Sequence, residues 1–194
     1  MRQEKKRCEY AIKEAFKGKR VALICSGDPG IYALSSLVFE LLRSIKDGDK
    51  LKVTVISGIT SLTSCAALLG APIGHDFAVI SLSDILTPWH VIEKRVDAAS
   101  RADFVIAFYN PRSKRRVSQL EKAIFIVRRY RNGFTPVGIV KRAMREGQKV
   151  VITNLEKVLD CQEIDMQTTI IIGNNSSYIW NNKIITPRGY NIER

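Results

Sequence analysis

The sequence has few of the residues on which metal sites and nucleophilic sites depend. Its 194 residues include two histidines, His75 and His90, and four cysteines that form no C-x-x-C pair. This set argues against a zinc site and favours buried free thiols. The motifs G-x-S-x-G, H-E-x-x-H, G-x-G-x-x-G and G-x-x-x-x-G-K-[ST] are also absent. We therefore expect no metal, and chemistry that depends on positioning a reactive cofactor rather than on a protein nucleophile.

Long hydrophobic runs are missing as well. No run of about 18 apolar residues occurs, so no transmembrane helix and no membrane partner are expected. The first residues, 1–7, are polar and basic and lack the apolar middle of a signal peptide. We expect a cytoplasmic protein. Hydrophobic residues make up 45% of the chain and charged residues 26%, which is enough apolar material for a globular core.

Negative charge is scarce. Nineteen Asp and Glu face 31 Lys and Arg, which gives a net charge of +12. A field of this sign favours an anionic partner, either nucleic acid or a small molecule with many carboxylates. A surface that only keeps the protein soluble explains the charge equally well. A non-enzymatic nucleic-acid-binding protein would need a recognisable binding module, and the sequence contains none.

Helix-like and strand-like patterns alternate along the first part of the chain. They predict helices over 3–17, 32–45 and 62–69 and strands over 21–25 and 51–56. This order is typical of an open, mostly parallel α/β sheet. The glycines and proline of 70–74 suggest a domain boundary, with an N-terminal domain over 1–75 and a C-terminal domain over 76–194.

Strands cluster in the second part of the chain, which predicts a mixed sheet there. The expected strands are 78–82, 104–109, 137–141, 150–153 and 168–172. Helices are expected over 88–100 and 113–130, and a hairpin over 180–185.

Three polar loops follow predicted strands, the position at which ligands bind in open α/β sheets. They read S-G-D-P-G-I-Y (26–32), S-G-I-T-S (57–61) and F-Y-N-P-R-S (108–113). Glycine lets a ligand approach the backbone closely, and a carboxylate such as that of Asp28 accepts hydrogen bonds from a ribose or an amine. Each loop is also explained by ordinary turn and helix-cap chemistry.

The order of these loops resembles the tetrapyrrole methylases, a family of S-adenosylmethionine-dependent methyltransferases. Two later strands resemble the family too, T-P-V-G-I-V (135–140) and T-T-I-I-I-G (168–173), although Ser57 stands where the family usually has proline. Finer matches resemble the branch that methylates carbon 17 of precorrin-3B or cobalt-factor III, with ring contraction, in cobalamin biosynthesis. They are G-A-P-I-G-H-D-F (70–77), I-S-L-S-D-I-L-T-P-W (80–89), F-Y-N-P-R-S and I-I-T-P-R-G-Y (184–190).

The resemblance implies two α/β domains with the active site in the cleft between them, and a homodimer. The family's first strand and glycine-rich loop have no counterpart in this sequence, so we expect an N-terminally truncated chain. The implied cofactor is S-adenosyl-L-methionine. Its expected contacts, carried over by motif, are Gly27, Asp28, Ile31, Thr60, Ser61, Tyr109, Asn110 and Gly138.

A tetrapyrrole with many acetate and propionate arms would give the positive charge a concrete partner. Arg112, Lys114 and Arg115, joined by Arg116, are expected to bind its carboxylates at the start of a basic helix, unless they only solvate that helix. Asp84, His75 and Asp76 are the candidates for the proton transfers of ring contraction. Related branches of the family methylate ribosomal RNA or a diphthamide intermediate, and ribosomal RNA is the alternative substrate.

Overall fold

The computed structural model describes residues 3–192 and divides into two compact units, Met1–Thr60 and Ser61–Arg194. Residues 61–71 group with the second unit because helix α3 (Ser61–Leu69) packs on its sheet and strand β1 (Gly70–Ala71) pairs with its strand β8 (Lys183–Ile185). This division differs from the domain boundary expected near residue 75, which stays a prediction. No helix in the described residues is long and apolar enough to cross a membrane.

The first unit contains two α-helices, α1 (Glu4–Phe16) and α2 (Ser35–Ser44), and a 3₁₀ turn, Gly48–Lys50. The predicted amphipathic helix over 3–17 is confirmed, since α1 buries Cys8 and Ile12 four residues apart on one face. The helix ends at Phe16, and Gly18 follows its C-cap Lys17 with φ of +80°, the left-handed conformation that glycine adopts after helix ends.

The strands predicted over 21–25 and 51–56 are wrong. Neither segment forms a strand, and no backbone hydrogen bond joins one to the other within residues 3–192. β-Branched sequence favours a strand only where a neighbouring strand completes the hydrogen bonding. Instead, both segments line an apolar cavity of about 760 Å³ together with α1 and α2. Ile24 and Ile56 remain 77% and 80% exposed. Because neither segment is a strand, the parallel sheet expected in this part of the chain is not formed.

The second unit is built on a five-stranded mixed sheet, as predicted. Its strands lie in the order β2-β3-β6-β4-β5; β2 and β3 are parallel, and the other neighbours are antiparallel. The strands are β2 (Phe77–Ser81), β3 (Val105–Tyr109), β4 (Pro136–Lys141), β5 (Lys149–Asn154) and β6 (Thr168–Ile172). A 3₁₀ turn, Val158–Asp160, lies between β5 and β6.

Helices cover both faces of this sheet, because its central strands are apolar on both sides. Side chains alternate along β3: Val105 and Ala107 pack towards α3, and Ile106 and Phe108 pack into a second core. That second core contains the buried faces of α4 (Trp89–Arg101) and α5 (Ser118–Arg128). The α/β class expected from the sequence is confirmed by this arrangement.

A smaller three-stranded sheet, in the order β1-β8-β7, completes the second unit. Strands β7 (Tyr178–Trp180) and β8 form the hairpin that the sequence predicted. Its two turn residues, Asn181 and Asn182, have φ of 45° and 55°, which is the conformation that a two-residue hairpin turn requires.

Helix α5 begins at Ser118, whereas the sequence predicted a start at Ser113. Residues 113–116 form a tight turn in which the backbones of Ser113 and Arg116 exchange two hydrogen bonds, of 2.9 and 3.2 Å. The basic residues of this segment therefore precede the helix. The prediction that they lie at the start of this helix is wrong.

Candidate active site

The loops that follow β2 and β3 are tied together at one edge of the sheet. The two strands are parallel neighbours, with Ser81 beside Tyr109, so both chains leave the sheet at the same end. The Ser81 hydroxyl accepts a hydrogen bond from the Asn110 amide at 2.9 Å and from the Ser83 backbone N–H at 3.3 Å. Asn110 has φ of 53°, a left-handed conformation that asparagine tolerates. This edge is where ligands bind in α/β sheets.

Arg116 supports the same edge from below the surface. It is 7% exposed, and its guanidinium donates to the carbonyls of Leu82 and Asn110, each at 3.4 Å. A third contact reaches the Met166 sulfur at 2.9 Å. A buried arginine with three acceptors is fixed in place. Arg116 therefore stabilises the loops that follow β2 and β3, and its guanidinium is not available to bind a ligand.

The three basic residues expected to bind substrate lie in the 110–117 loop and differ in exposure. Lys114 and Arg115 are exposed to solvent. The Arg112 side chain is 23% exposed and lies 3.8 Å from the Glu121 carboxylate, beyond hydrogen-bond length. Its Nε is buried without a partner in the described residues. Arg112 thus keeps donors for an incoming carboxylate.

The three candidates for proton transfer are not brought together. His75 and Asp76 lie before β2, with the His75 Nδ1 accepting the Asp76 N–H at 2.8 Å. Asp84 lies beyond the other end of β2 and accepts a hydrogen bond from Gln119 at 2.8 Å. A five-residue strand spans roughly 17 Å. Asp84 is the candidate that shares an edge with Asn110 and Arg112.

The start of α3 is held by two residues of the sheet. The Tyr109 hydroxyl accepts the Leu62 backbone N–H at 2.7 Å. The Thr169 hydroxyl donates to the Ser61 hydroxyl at 3.3 Å. Ser61, one of the expected cofactor contacts, therefore lies in a fixed first turn.

Gly138, another expected cofactor contact, faces α3. A Cβ atom at this position would lie 2.3 Å from Cδ1 of Leu69, which is fully buried. Glycine thus allows α3 to pack closely on β4. Its contact with a cofactor stays a prediction.

In the first unit, Asp28 joins two of the expected loops. Its carboxylate oxygens accept the N–H groups of Gly30 at 2.7 Å and Gly58 at 3.0 Å. These bonds, that from Gly58 first, hold the pKa of the Asp28 carboxyl below its usual range. A Cβ at Gly58 would lie 2.3 Å from the Gly27 carbonyl oxygen, so only glycine fits. Asp28 therefore stabilises the contact between these two loops, whether or not it also binds a ligand.

The remaining expected contacts of this unit are more open. Ile31 is 43% exposed. Thr60, the last residue of the unit, is half-buried. Gly27 has φ of +78°, which requires glycine in the turn before Asp28.

Metal-ligating and nucleophilic groups are not assembled in the described part of the chain. Residues 3–192 contain no group of three or more His, Cys, Asp or Glu side chains placed to hold a metal ion. Cys65, on α3, is buried, and burial raises the pKa of its thiol to about 11. It is therefore protonated at neutral pH and is a poor nucleophile.

Sequence reasoning missed Ser81, Thr169 and the role of Arg116. Ser81 lies in the strand predicted over 78–82, and Thr169 lies in the T-T-I-I-I-G motif, so both belong to segments already identified in the sequence. What was missing was the pairing of strands, which places Ser81 beside the Asn110 loop and Thr169 beside α3.

Comparison with known proteins identifies the family. Residues 1–159 match the model of the tetrapyrrole (corrin/porphyrin) methylases. The chain belongs to this methylase family. It is 50% identical over 98% of its length to a cobalt-factor III methyltransferase of Priestia megaterium, of which it spans 35%. It is 46% identical over 99% of its length to a probable cobalt-factor III C(17)-methyltransferase of Salmonella typhimurium, of which it spans 78%.

Solved methylase structures agree with this assignment. The methyltransferase CobJ superposes with a TM-score of 0.90 at 34% identity, covering 95% of this chain and 77% of CobJ. A uroporphyrin-III C-methyltransferase of Thermus thermophilus, solved with S-adenosylhomocysteine, superposes with a TM-score of 0.61 at 20% identity. The superposition covers 86% of this chain and 71% of that protein, and the similarity concerns the fold alone.

Proposed function

We propose that this methylase transfers a methyl group from S-adenosylmethionine to carbon 17 of cobalt-factor III, with ring contraction, in cobalamin biosynthesis. The observation that carries the proposal is the 46% identity over 99% of the chain to a relative named for that reaction. Precorrin-3B is the metal-free alternative. We favour cobalt-factor III because the relatives of Priestia megaterium and Salmonella typhimurium both carry its name. The ribosomal RNA alternative finds no support in the comparisons.

The start of α3 suits the methionine end of S-adenosylmethionine. The first turn of α3 contains no acidic residue, so the positive end of its dipole is not neutralised from within the helix. A carboxylate is a natural ligand for such a helix end. Ser61 adds a hydroxyl, and Asn110 at the nearby strand edge adds polar groups for the rest of the cofactor. When bound, the cofactor supplies a methyl group that the nucleophilic ring carbon takes, leaving S-adenosylhomocysteine.

The polar edge of the sheet suits a tetrapyrrole with carboxylate arms. Among the described residues, hydrogen bonds do not saturate the guanidinium of Arg112, whose side chain is partly exposed, and Lys114 and Arg115 are exposed next to it in the chain. Asp84 lies at this edge, whereas His75 and Asp76 lie at the other end of β2. We therefore favour Asp84 for proton transfer during ring contraction. The homodimer implied by the resemblance and the cytoplasmic location expected from the sequence are part of the same proposal.

A methyl-transfer assay tests the proposed function. With labelled S-adenosylmethionine, we expect label to enter cobalt-factor III, more slowly precorrin-3B, and not ribosomal RNA. The product should be heavier by one methyl group, and S-adenosylhomocysteine should form in equal amount. Transfer to RNA without transfer to either tetrapyrrole would refute the proposal.

Replacing Arg112 by alanine should weaken tetrapyrrole binding and leave cofactor binding unchanged. A hydrogen bond to a charged group contributes about 1.5–3 kcal/mol, so the dissociation constant should rise about ten- to a hundredfold. Fluorescence titration with the tetrapyrrole and calorimetry with S-adenosylhomocysteine measure the two affinities.

Arg101→Ala is the matched control for this variant. It removes the same charge from an exposed residue at the end of α4, just before β3 begins, and so from the opposite end of the sheet. Both variants should behave alike if the tetrapyrrole responds only to net charge. Equal affinities for Arg112→Ala and the unmodified protein would remove Arg112 from the substrate site.

A further inference from the structure

The first turn of α3 is fixed by side chains that come from the sheet beneath it. Tyr109 is the last residue of β3, and Thr169 is the second residue of β6. These strands pair antiparallel with Ala107 opposite Ile171, and continuing that register places Tyr109 opposite Thr169. Both residues lie on the face that α3 covers, since Ala107 and Ile171 pack in the α3 core. The two contacts to the helix therefore arise from one cross-strand pair.

The ring and the hydroxyl of Tyr109 have different roles. Its ring lies partly buried against the α3 core, and its hydroxyl accepts the Leu62 N–H at 2.7 Å. The first N–H groups of a helix have no partner inside the helix, so each needs an outside acceptor. A neutral hydroxyl satisfies one of these groups without adding negative charge. The hydroxyl thus orders the positive end of the helix without neutralising its dipole.

We propose that Tyr109 is a positioning residue for the cofactor: its hydroxyl fixes the first turn of α3 so that Ser61 and the adjoining backbone meet the carboxylate of S-adenosylmethionine. Thr169 assists by orienting the Ser61 hydroxyl. This inference rests on the proposed function, since it assigns the start of α3 to the methionine end.

The test is Tyr109→Phe, which keeps the ring and removes only the hydroxyl. Leaving the Leu62 N–H without its acceptor should weaken S-adenosylhomocysteine binding about tenfold. The KM for S-adenosylmethionine should rise by a similar factor, while kcat at saturating cofactor stays within about twofold, because no reacting atom is touched. Calorimetry and initial-rate kinetics provide both readouts.

Two further variants make the test specific. Tyr130→Phe removes another hydroxyl of the same unit, one that donates to Asp97 of α4 at 2.8 Å. It should leave cofactor affinity unchanged. Thr169→Val should weaken cofactor binding less than Tyr109→Phe does, and the double variant should lose less than the sum if both act through the same turn.

The outcomes separate this inference from the function on which it rests. If the unmodified protein binds S-adenosylhomocysteine and Tyr109→Phe binds it equally well, the positioning role is refuted and the proposed function stands. A variant that loses kcat as much as affinity would also refute the positioning role. If the unmodified protein binds no S-adenosylhomocysteine, the proposed cofactor is refuted, and the inference falls with it.

Discussion

Replacing Arg131 by methionine should lower the free energy of unfolding of the second unit by about 3–6 kcal/mol, that is about 1.5–3 kcal/mol for each of two hydrogen bonds from a charged group. The Arg131 side chain is fully buried, and its guanidinium donates to the carbonyls of Phe104 and Gly173. These carbonyls stand at the start of β3 and the end of β6, so one side chain joins the ends of two central strands. Without it, both carbonyls lose their donor, whereas the Asp103 carboxylate, 3.8 Å from Nε, keeps its hydrogen bond from the Asn175 N–H.

Urea denaturation followed by tryptophan fluorescence measures this effect in the second unit alone. Both tryptophans, Trp89 and Trp180, lie within it, so the signal does not report on the first unit. Arg129→Met is the matched control: its guanidinium bonds Asp97 at 2.5 Å but is 52% exposed. An exposed pair of this kind contributes at most about 1 kcal/mol. Equal losses in the two variants would mean that Arg131 does not join the strands.

The second unit could be predicted from the sequence because its elements carry their own signals. Apolar runs such as 104–109 and 168–172 are bounded by polar turns, and Asn181 and Asn182 together mark a hairpin. The strands predicted in the first unit failed although 21–25 and 51–56 are equally apolar. A strand is defined by its neighbour, and within the described residues these segments have no neighbouring strand. The pattern of one segment does not contain that information.

The sequence predicted which loops form the candidate site, but not how the residues of these loops are placed relative to one another. The Asn110 loop and Ser61 follow strands or begin helices, which made them visible in the sequence. The separation of His75 from Asp84 by the length of β2, and the burial of Arg116, depend on how far an element extends and on what covers it. From the sequence, Arg116 was placed with the exposed residues Lys114 and Arg115 because residues adjacent in sequence were expected to be equally exposed.

Replacing Gly138 by alanine should destabilise the second unit by about 1–3 kcal/mol, the usual cost of overpacking a filled core. The new Cβ would lie 2.3 Å from Cδ1 and 2.5 Å from Cδ2 of Leu69, distances that real Cβ contacts do not reach. Leu69 is fully buried at the end of α3, so relief requires α3 to move away from β4. The same fluorescence-detected urea denaturation measures the loss.

Two comparisons decide whether the close approach of α3 to β4 is the cause. Gly133→Ala places a Cβ 3.5 Å from its nearest neighbour, Glu156, so it controls for the change from glycine itself and should cost little. Leu69→Ala alone leaves a cavity and should cost about 2–5 kcal/mol. In the double variant the methyl group introduced by Gly138→Ala occupies part of that cavity, so the combined loss should be smaller than the sum. Strictly additive losses would show that Gly138 and Leu69 act independently and that some other property of glycine is required in β4.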